Sequence, residues 1–292
     1  MNRLTGHFLS GAALLALLGG AALMHAAAAE GVPNFGMDSN VGWIAGVPMS
    51  DEPIGDDFLP PPDGPGPVTS DPAHPYIDNT FATRTNQQPT FHVADLNSPI
   101  LLPWAREELR KVNERVLKGE AVYTPKERCW PIGVPGWMLY PVTPIYFLQT
   151  PKMVTLIWQE DHMVRHIYLT DKHPANVKPS WFGDSIGHYE NGDTLVVDTI
   201  GLNTRTFVDQ FRTPHTEKLH VVERYRLVES GKAIEAIASV EDPGAFTTPW
   251  RAMQRYRRVE PGPMQENVCA ENNEGYFERA SDPIPTAAKP DF

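Results

Sequence analysis

The chain is poor in cysteine, in positive charge and in long apolar runs, and each shortage narrows what it can be. Two cysteines in 292 residues, Cys129 and Cys269, cannot build a cysteine-dense scaffold or a four-thiolate metal site. Lys and Arg number 25 against 36 Asp and Glu, for a formal net charge of −11. Such a chain is a poor partner for nucleic acid or for an anionic membrane surface. Arg251, Arg255, Arg257 and Arg258 are clustered, but four arginines on one strand do not reverse that balance. After Met24 no apolar run is long enough for a membrane-spanning helix. No repeat of fixed period is present. There is no H-E-x-x-H and no tight histidine cluster among His74, His92, His162, His166, His173, His188, His215 and His220, so no metal and no other cofactor is expected.

What is present begins with a leader. Arg3 precedes the apolar run Phe8–Met24, and Ala27-Ala28-Ala29 forms a small-residue cleavage site. The reading is a Sec-type signal peptide over residues 1–29, cleaved after Ala29, which places the protein in the periplasm or outside the cell with no membrane anchor after cleavage. In that compartment an even cysteine count favours a Cys129–Cys269 disulfide. A crosslink closing so large a loop is worth about 4–5 kcal/mol in the chain-entropy model.

Residues 30–90 are rich in Pro, Gly, Asp and Asn, and the run from Leu59 to Pro67 can form neither regular helix nor central strand. Phe35, Trp43, Phe58, Tyr76 and Phe81 within it argue against a solvated linker, so the segment reads as an extended arm wrapped over the surface. Residues 91–292 read as a single β domain. It opens with one amphipathic helix, about 103–118, with Pro103 in the first turn, Gly119 at the stop, and Ala105, Leu109, Val112 and Val116 on one stripe. From Ile145 to Val259 about eight short strands follow, joined mostly by short turns. This meander predicts a mainly β fold: an antiparallel, lipocalin-like barrel or strongly curved sheet, with a two-sheet sandwich as the alternative.

The richest stretch is Trp181–Thr199. Asn191-Gly192 between two strand-like runs predicts a two-residue type I′ turn, because both central residues then need positive φ. That turn pairs Tyr189 with Thr194, His188 with Leu195 and Asp184 with Thr199. It places Phe182, Asp184, Ile186, His188, Leu195, Val197 and Thr199 on one inward face. Gly183-Asp184-Ser185-Ile186-Gly187 also fits the G-x-S-x-G nucleophile elbow and the first block of the GDSL-type esterases. Both need a strand–turn–helix context, whereas here the motif runs directly into a hairpin. The D-x-x-H block that the esterases use is missing near the C-terminus.

Several segments together resemble an uncharacterised family of exported bacterial proteins. They are Tyr146–Pro151, Trp181–Thr199, Pro214-His215-Thr216 with Leu219–Arg224, Glu241-Asp242-Pro243 with Pro249-Trp250, and Val268–Asn273. The resemblance covers most of the chain from Cys129 to Asn273 and implies export, but no established activity. Many relatives carry Gly-His-Ser where this chain has Gly183-Asp184-Ser185.

Three functions follow as expectations. The first is an exported barrel that binds a small apolar or aromatic molecule, with Thr199, Tyr225, Phe246 and Trp250 at the ligand. The second is a cofactor-free lyase, isomerase or hydrolase, with Asp184 and Glu223 as inward acid and base and His188 or His215 assisting. The bland reading of the same acids is a buried network, Asp184 with Thr199 and Glu223 with an inward Arg such as Arg165. The third function is a structural or assembly role in the cell envelope, made through the arm. Residue chemistry leaves the oligomeric state open.

Overall fold

The computed structural model describes residues 31–36, 41–45, 57–78, 82, 83, 85–139 and 143–269. The leader expected over residues 1–29 lies outside them. Nine strands close into a barrel in sequence order: β1 (Gly42–Ala45), β2 (Ile145–Gln149), β3 (Met153–Trp158), β4 (Met163–Tyr168), β5 (Asp184–Glu190), β6 (Thr194–Ile200), β7 (His220–Val228), β8 (Ala233–Glu241) and β9 (Trp250–Val259). Because β1 pairs with both β2 and β9, the sheet has no break at which it could separate into a sandwich. Neighbours are antiparallel except β4 and β5, which meet in a short parallel seam at Tyr168↔Ile186.

Eight of the staves are the expected meander. The ninth, β1, comes from the Pro- and Gly-rich arm. Its four residues give a periodicity search too little to detect, but Trp43 is fully buried and its indole N–H donates to the Phe35 carbonyl at 2.7 Å. The arm then continues along the same edge of β9: Leu59 N–H donates to the Met253 carbonyl at 2.9 Å, and Arg251 N–H to the Pro65 carbonyl at 2.9 Å. A strand edge that would otherwise invite aggregation is thereby covered.

The helix α1 (Pro103–Leu117) buries Ala105, Leu109, Asn113 and Val116. Val112 packs partly buried against Val93, Val116 and Val122, and Asn113 joins the buried stripe because its side-chain amide pairs with both the N–H and the carbonyl of Ala94. Cys129 and Cys269 form a disulfide across a separation of 140 residues, with Cα atoms 5.5 Å apart.

The β5–β6 hairpin corrects the expected register. Asn191 and Gly192 do take positive φ, 53° and 71°. Asp193, however, stays out of the ladder, and Glu190 pairs with Thr194. One extra loop residue shifts every pair by one: Asp184 lies opposite Ile200, Ser185 opposite Thr199, and His188 opposite Val196. A one-residue slip turns a strand over. The inward face of β5 is therefore Ser185, Gly187 and Tyr189, while Asp184, Ile186 and His188 point outward. The β6 half of the expected face, Leu195, Val197 and Thr199, does point in and is fully buried. Gly187 sits beside the seam, where an added Cβ would come within 2.8 Å of the Ile167 side chain and the Val196 carbonyl.

Trp43→Ala should destabilise the protein by about 3–5 kcal/mol, the range for truncating a fully buried large aromatic. Denaturant unfolding checks this, and a loss under about 1 kcal/mol would show that β1 is not a structural stave.

Candidate functional site

Alternation along the barrel staves points Arg165 of β4, Ser185 of β5, Thr199 of β6, and Glu223 and Tyr225 of β7 into the interior. Arg165 and Glu223 have no exposed side-chain surface. The guanidinium donates to both Glu223 carboxylate oxygens, at 3.0 and 2.5 Å. It also donates to Thr199 Oγ1 at 2.9 Å and Ser185 Oγ at 3.2 Å. The Tyr225 hydroxyl donates to Glu223 Oε1 at 2.7 Å. Burial alone pushes the Arg165 guanidinium down, but the Glu223 carboxylate more than offsets this, so Arg165 stays charged. Burial pushes the Tyr225 phenol well up. The ring of Tyr225 meets Phe147 edge to face at 5.6 Å. At this level the barrel is filled with side chains.

This arrangement corrects the expected acid–base pair. Asp184 and Glu223 lie on opposite faces of the sheet and share no cavity, so they cannot act on one substrate. Glu223 is tied to Arg165, as the network reading held. Asp184 does not reach Thr199, whose hydroxyl pairs with Ser185 at 2.9 Å instead. Ser185 is buried at an inward position near the start of β5, not at an exposed elbow. His188 is 61% exposed and donates to Glu190 at 2.9 Å. His215 is buried, and its Nδ1–H donates to the Thr216 carbonyl at 2.9 Å while Nε2 accepts from the Thr206 hydroxyl at 2.9 Å. That pairing needs a neutral ring, consistent with the downward push of burial on its pKa. Phe246 and Trp250 are buried against each other edge to face at 5.6 Å.

Outside the barrel the structure brings together groups that have no motif. Asp184 and Asp198, neighbours on the outer face of β5 and β6, both accept from His173 of the β4–β5 crossover: Nδ1 donates to Asp184 at 2.6 Å and Nε2 to Asp198 at 3.0 Å. His220 Nε2 also donates to Asp198, at 3.1 Å, and its other nitrogen lies 4.0 Å from Glu241. A neutral imidazole has one N–H, so two carboxylate acceptors require the imidazolium. Burial pulls the His173 pKa down, but the hydrogen bonds and charges of Asp184 and Asp198 outweigh it and the net shift is upward. Among the described residues no group of three or more His, Cys, Asp or Glu is placed to hold a metal ion. The cluster works as a clamp on the crossover.

Among the described residues, a pocket lies between the arm and the long connection 201–219. It has a volume of about 310 Å³ and is lined by Asp57, Phe58, Pro67, Val68, Thr69, Ser70, Leu139, Asp209 and Phe211. That is near the lower end of the range of roughly 300–1,000 Å³ for small-molecule sites. The arm reaches it because Asp71 N–H donates to the Val93 carbonyl and Asp95 N–H to the Thr69 carbonyl, both at 2.8 Å. Phe58 leans edge-on against Trp250 at 6.4 Å, so Trp250 backs the wall without lining it. Asp209 is the unusual group. It is 7% exposed. Its Oδ1 accepts from Thr213 N–H at 3.0 Å, and its Oδ2 has no hydrogen-bond partner among the described residues. Burial raises its pKa to about 6, against the hydrogen bonding of Thr213; the nearby Asp57 charge adds to the rise and His92 opposes it. His92 Nε2 donates to Asp57 at 3.0 Å, and its ring stacks on Tyr76 with centroids 3.6 Å apart.

Sequence reasoning missed Asp209, Asp57, His92 and His173. The available signal was length: a connection as long as 201–219 exceeds the roughly 12–15 residues beyond which loops are uncommon and often functional.

Arg165→Met should cost about 3–5 kcal/mol, because it leaves Glu223 buried without its counter-ion. Arg165→Met with Glu223→Leu should recover most of that loss; chemical denaturation of the two variants checks it, and equal losses would rule out a mutual dependence. The raised pKa of His173 means its folded form binds the proton more tightly than the unfolded chain. Its contribution to stability is full below the ordinary histidine value of 6.5 and is lost as pH rises through the higher folded value. His173→Gln should remove that part of the pH slope, measured as the wild-type minus variant difference in unfolding free energy.

Comparison of the chain with protein-family models, curated proteins and solved structures gives no match, so no activity or site residue is carried over from a relative.

Proposed function

We propose that this chain is an exported binding protein for a small molecule with an apolar or aromatic body, held between the arm and the 201–219 connection. Export is supported by the leader-like first 29 residues and by the family resemblance, and a disulfide is compatible with an oxidising compartment. The observation that carries the reading is the pocket of about 310 Å³, whose wall combines Phe58, Pro67, Val68, Leu139 and Phe211 with Asp57, Thr69, Ser70 and the deeply buried Asp209. An apolar concavity with a few placed polar groups is the usual form of a small-molecule site. The barrel interior, the site expected from sequence, is spent on the Arg165–Glu223 network at the level of Thr199 and Tyr225.

A second reading rests on Asp209. A carboxyl group held near pH 6 in a pocket suits general acid or base work, which would make the protein a cofactor-free enzyme. Its acid would be Asp209, with the Asp57–His92 pair beside it.

Val68→Trp should fill the pocket and leave the barrel intact. Mass spectrometry of protein purified from its native compartment should show a small molecule released from the wild type and missing from the variant. A wild type that releases nothing, or a variant that releases the same molecule, would sink the pocket reading.

A further inference from the structure

Resting on that reading of the pocket, we propose that the bound molecule is a protonated amine on an apolar or aromatic body, with its ammonium group read by Asp209 and Asp57.

The argument starts from charge. The pocket wall contains two carboxyl groups, Asp57 and Asp209, and no Lys or Arg. Asp57 has His92 at 3.0 Å. Asp209 accepts from the Thr213 backbone N–H on Oδ1, and the Thr213 side chain also favours its charged form, but Oδ2 has no hydrogen-bond partner among the described residues and no Lys or Arg lines the pocket beside it. A buried carboxylate without a counter-ion is costly, and a cation supplied by the ligand would remove that cost. An anionic ligand meets two acids and a chain of net charge −11 and is disfavoured at long and short range alike. A neutral ligand gains the apolar wall but leaves the acids as they are.

The wall also suits an ammonium group in a second way. Phe58 and Phe211 line the same pocket as the two acids. Aromatic faces attract cations, by about 0.5–1 kcal/mol at exposed sites and about 2 kcal/mol or more where water is excluded. The rings favour an apolar body and tolerate the charge that the acids require.

The titratable groups bearing on the acid are Asp57, which raises its pKa, and His92, which lowers it. With the acid poised at about 6, protonated Asp209 cannot pair with an ammonium group, and ionised Asp209 can. Amine affinity should therefore strengthen as pH rises from about 5 to about 7, while the affinity of a neutral analogue stays flat.

Calorimetric titration of the wild-type protein with three probes of one shape tests this: 2-phenylethylamine, 2-phenylethanol and phenylacetate. The amine should bind at least about tenfold more tightly than the alcohol, a difference of about 1.4 kcal/mol, and phenylacetate most weakly. Asp209→Asn should bring the amine down towards the level of the alcohol. Asp57→Asn, at a half-exposed position, should weaken the amine less and serves where Asp209→Asn fails to fold. If the alcohol or phenylacetate binds as tightly as the amine, the amine assignment falls and the pocket reading stands. If none of the three binds, both fall.

Discussion

The buried ion pair between Arg165 and Glu223 is the constraint on which the barrel depends. A guanidinium with no exposed surface needs acceptors for its N–H groups, and the structure gathers them from β5, β6 and β7. Each acceptor is on an inward position only in the observed register. Slipping β5 by one residue would withdraw the Ser185 hydroxyl, and slipping β7 would carry the Glu223 carboxylate to the outer face. Such a pair adds little net stability compared with apolar packing, since desolvation offsets much of the attraction. Its consequence is register. Four strands that could otherwise slide are held to one pairing by the cost of leaving either charge alone.

That use of the interior leaves the described pocket elsewhere. The residues first associated with binding, Thr199 and Tyr225, are donors and acceptors in the network or packing partners of Phe147. Space and chemistry instead meet outside the barrel wall, where the arm lies over the 201–219 connection. There Asp209 is deeply buried yet carries an oxygen without a hydrogen-bond partner among the described residues. Barrel interiors tolerate few such groups, and one at a pocket wall has a use for a ligand that one in a packed core lacks.

The outer face has its own logic. Asp184 and Asp198 would repel each other across adjacent strands, and the His173 imidazolium between them turns that repulsion into a clamp. The crossover it holds is the connection that makes the parallel seam between β4 and β5 possible, since parallel neighbours cannot be joined by a tight turn. Asp184, first considered as catalytic, thus acts on the path of the chain.

Much of this was legible in the sequence. Period-two alternation gave eight strands and their order, the Pro103–Gly119 frame gave α1, and the cysteine count gave the disulfide, because each depends on neighbours close in sequence or on simple pairing. The inward Arg165–Glu223 pair was readable too, since both lie on clean alternating strands. Other features needed the tertiary structure. Asn191 and Gly192 determined a tight turn, but whether Asp193 joined the ladder depended on which face could be buried, and that decision reversed β5. Four residues of the arm became a stave only because β2 and β9 left an unpaired gap. Asp57, Asp209 and Phe211 came to line one pocket because the arm and a long connection were brought together from distant parts of the chain. Local propensity sets the elements one at a time; the burial of charge and the closing of edges are collective, and those decided where this chain places its pocket.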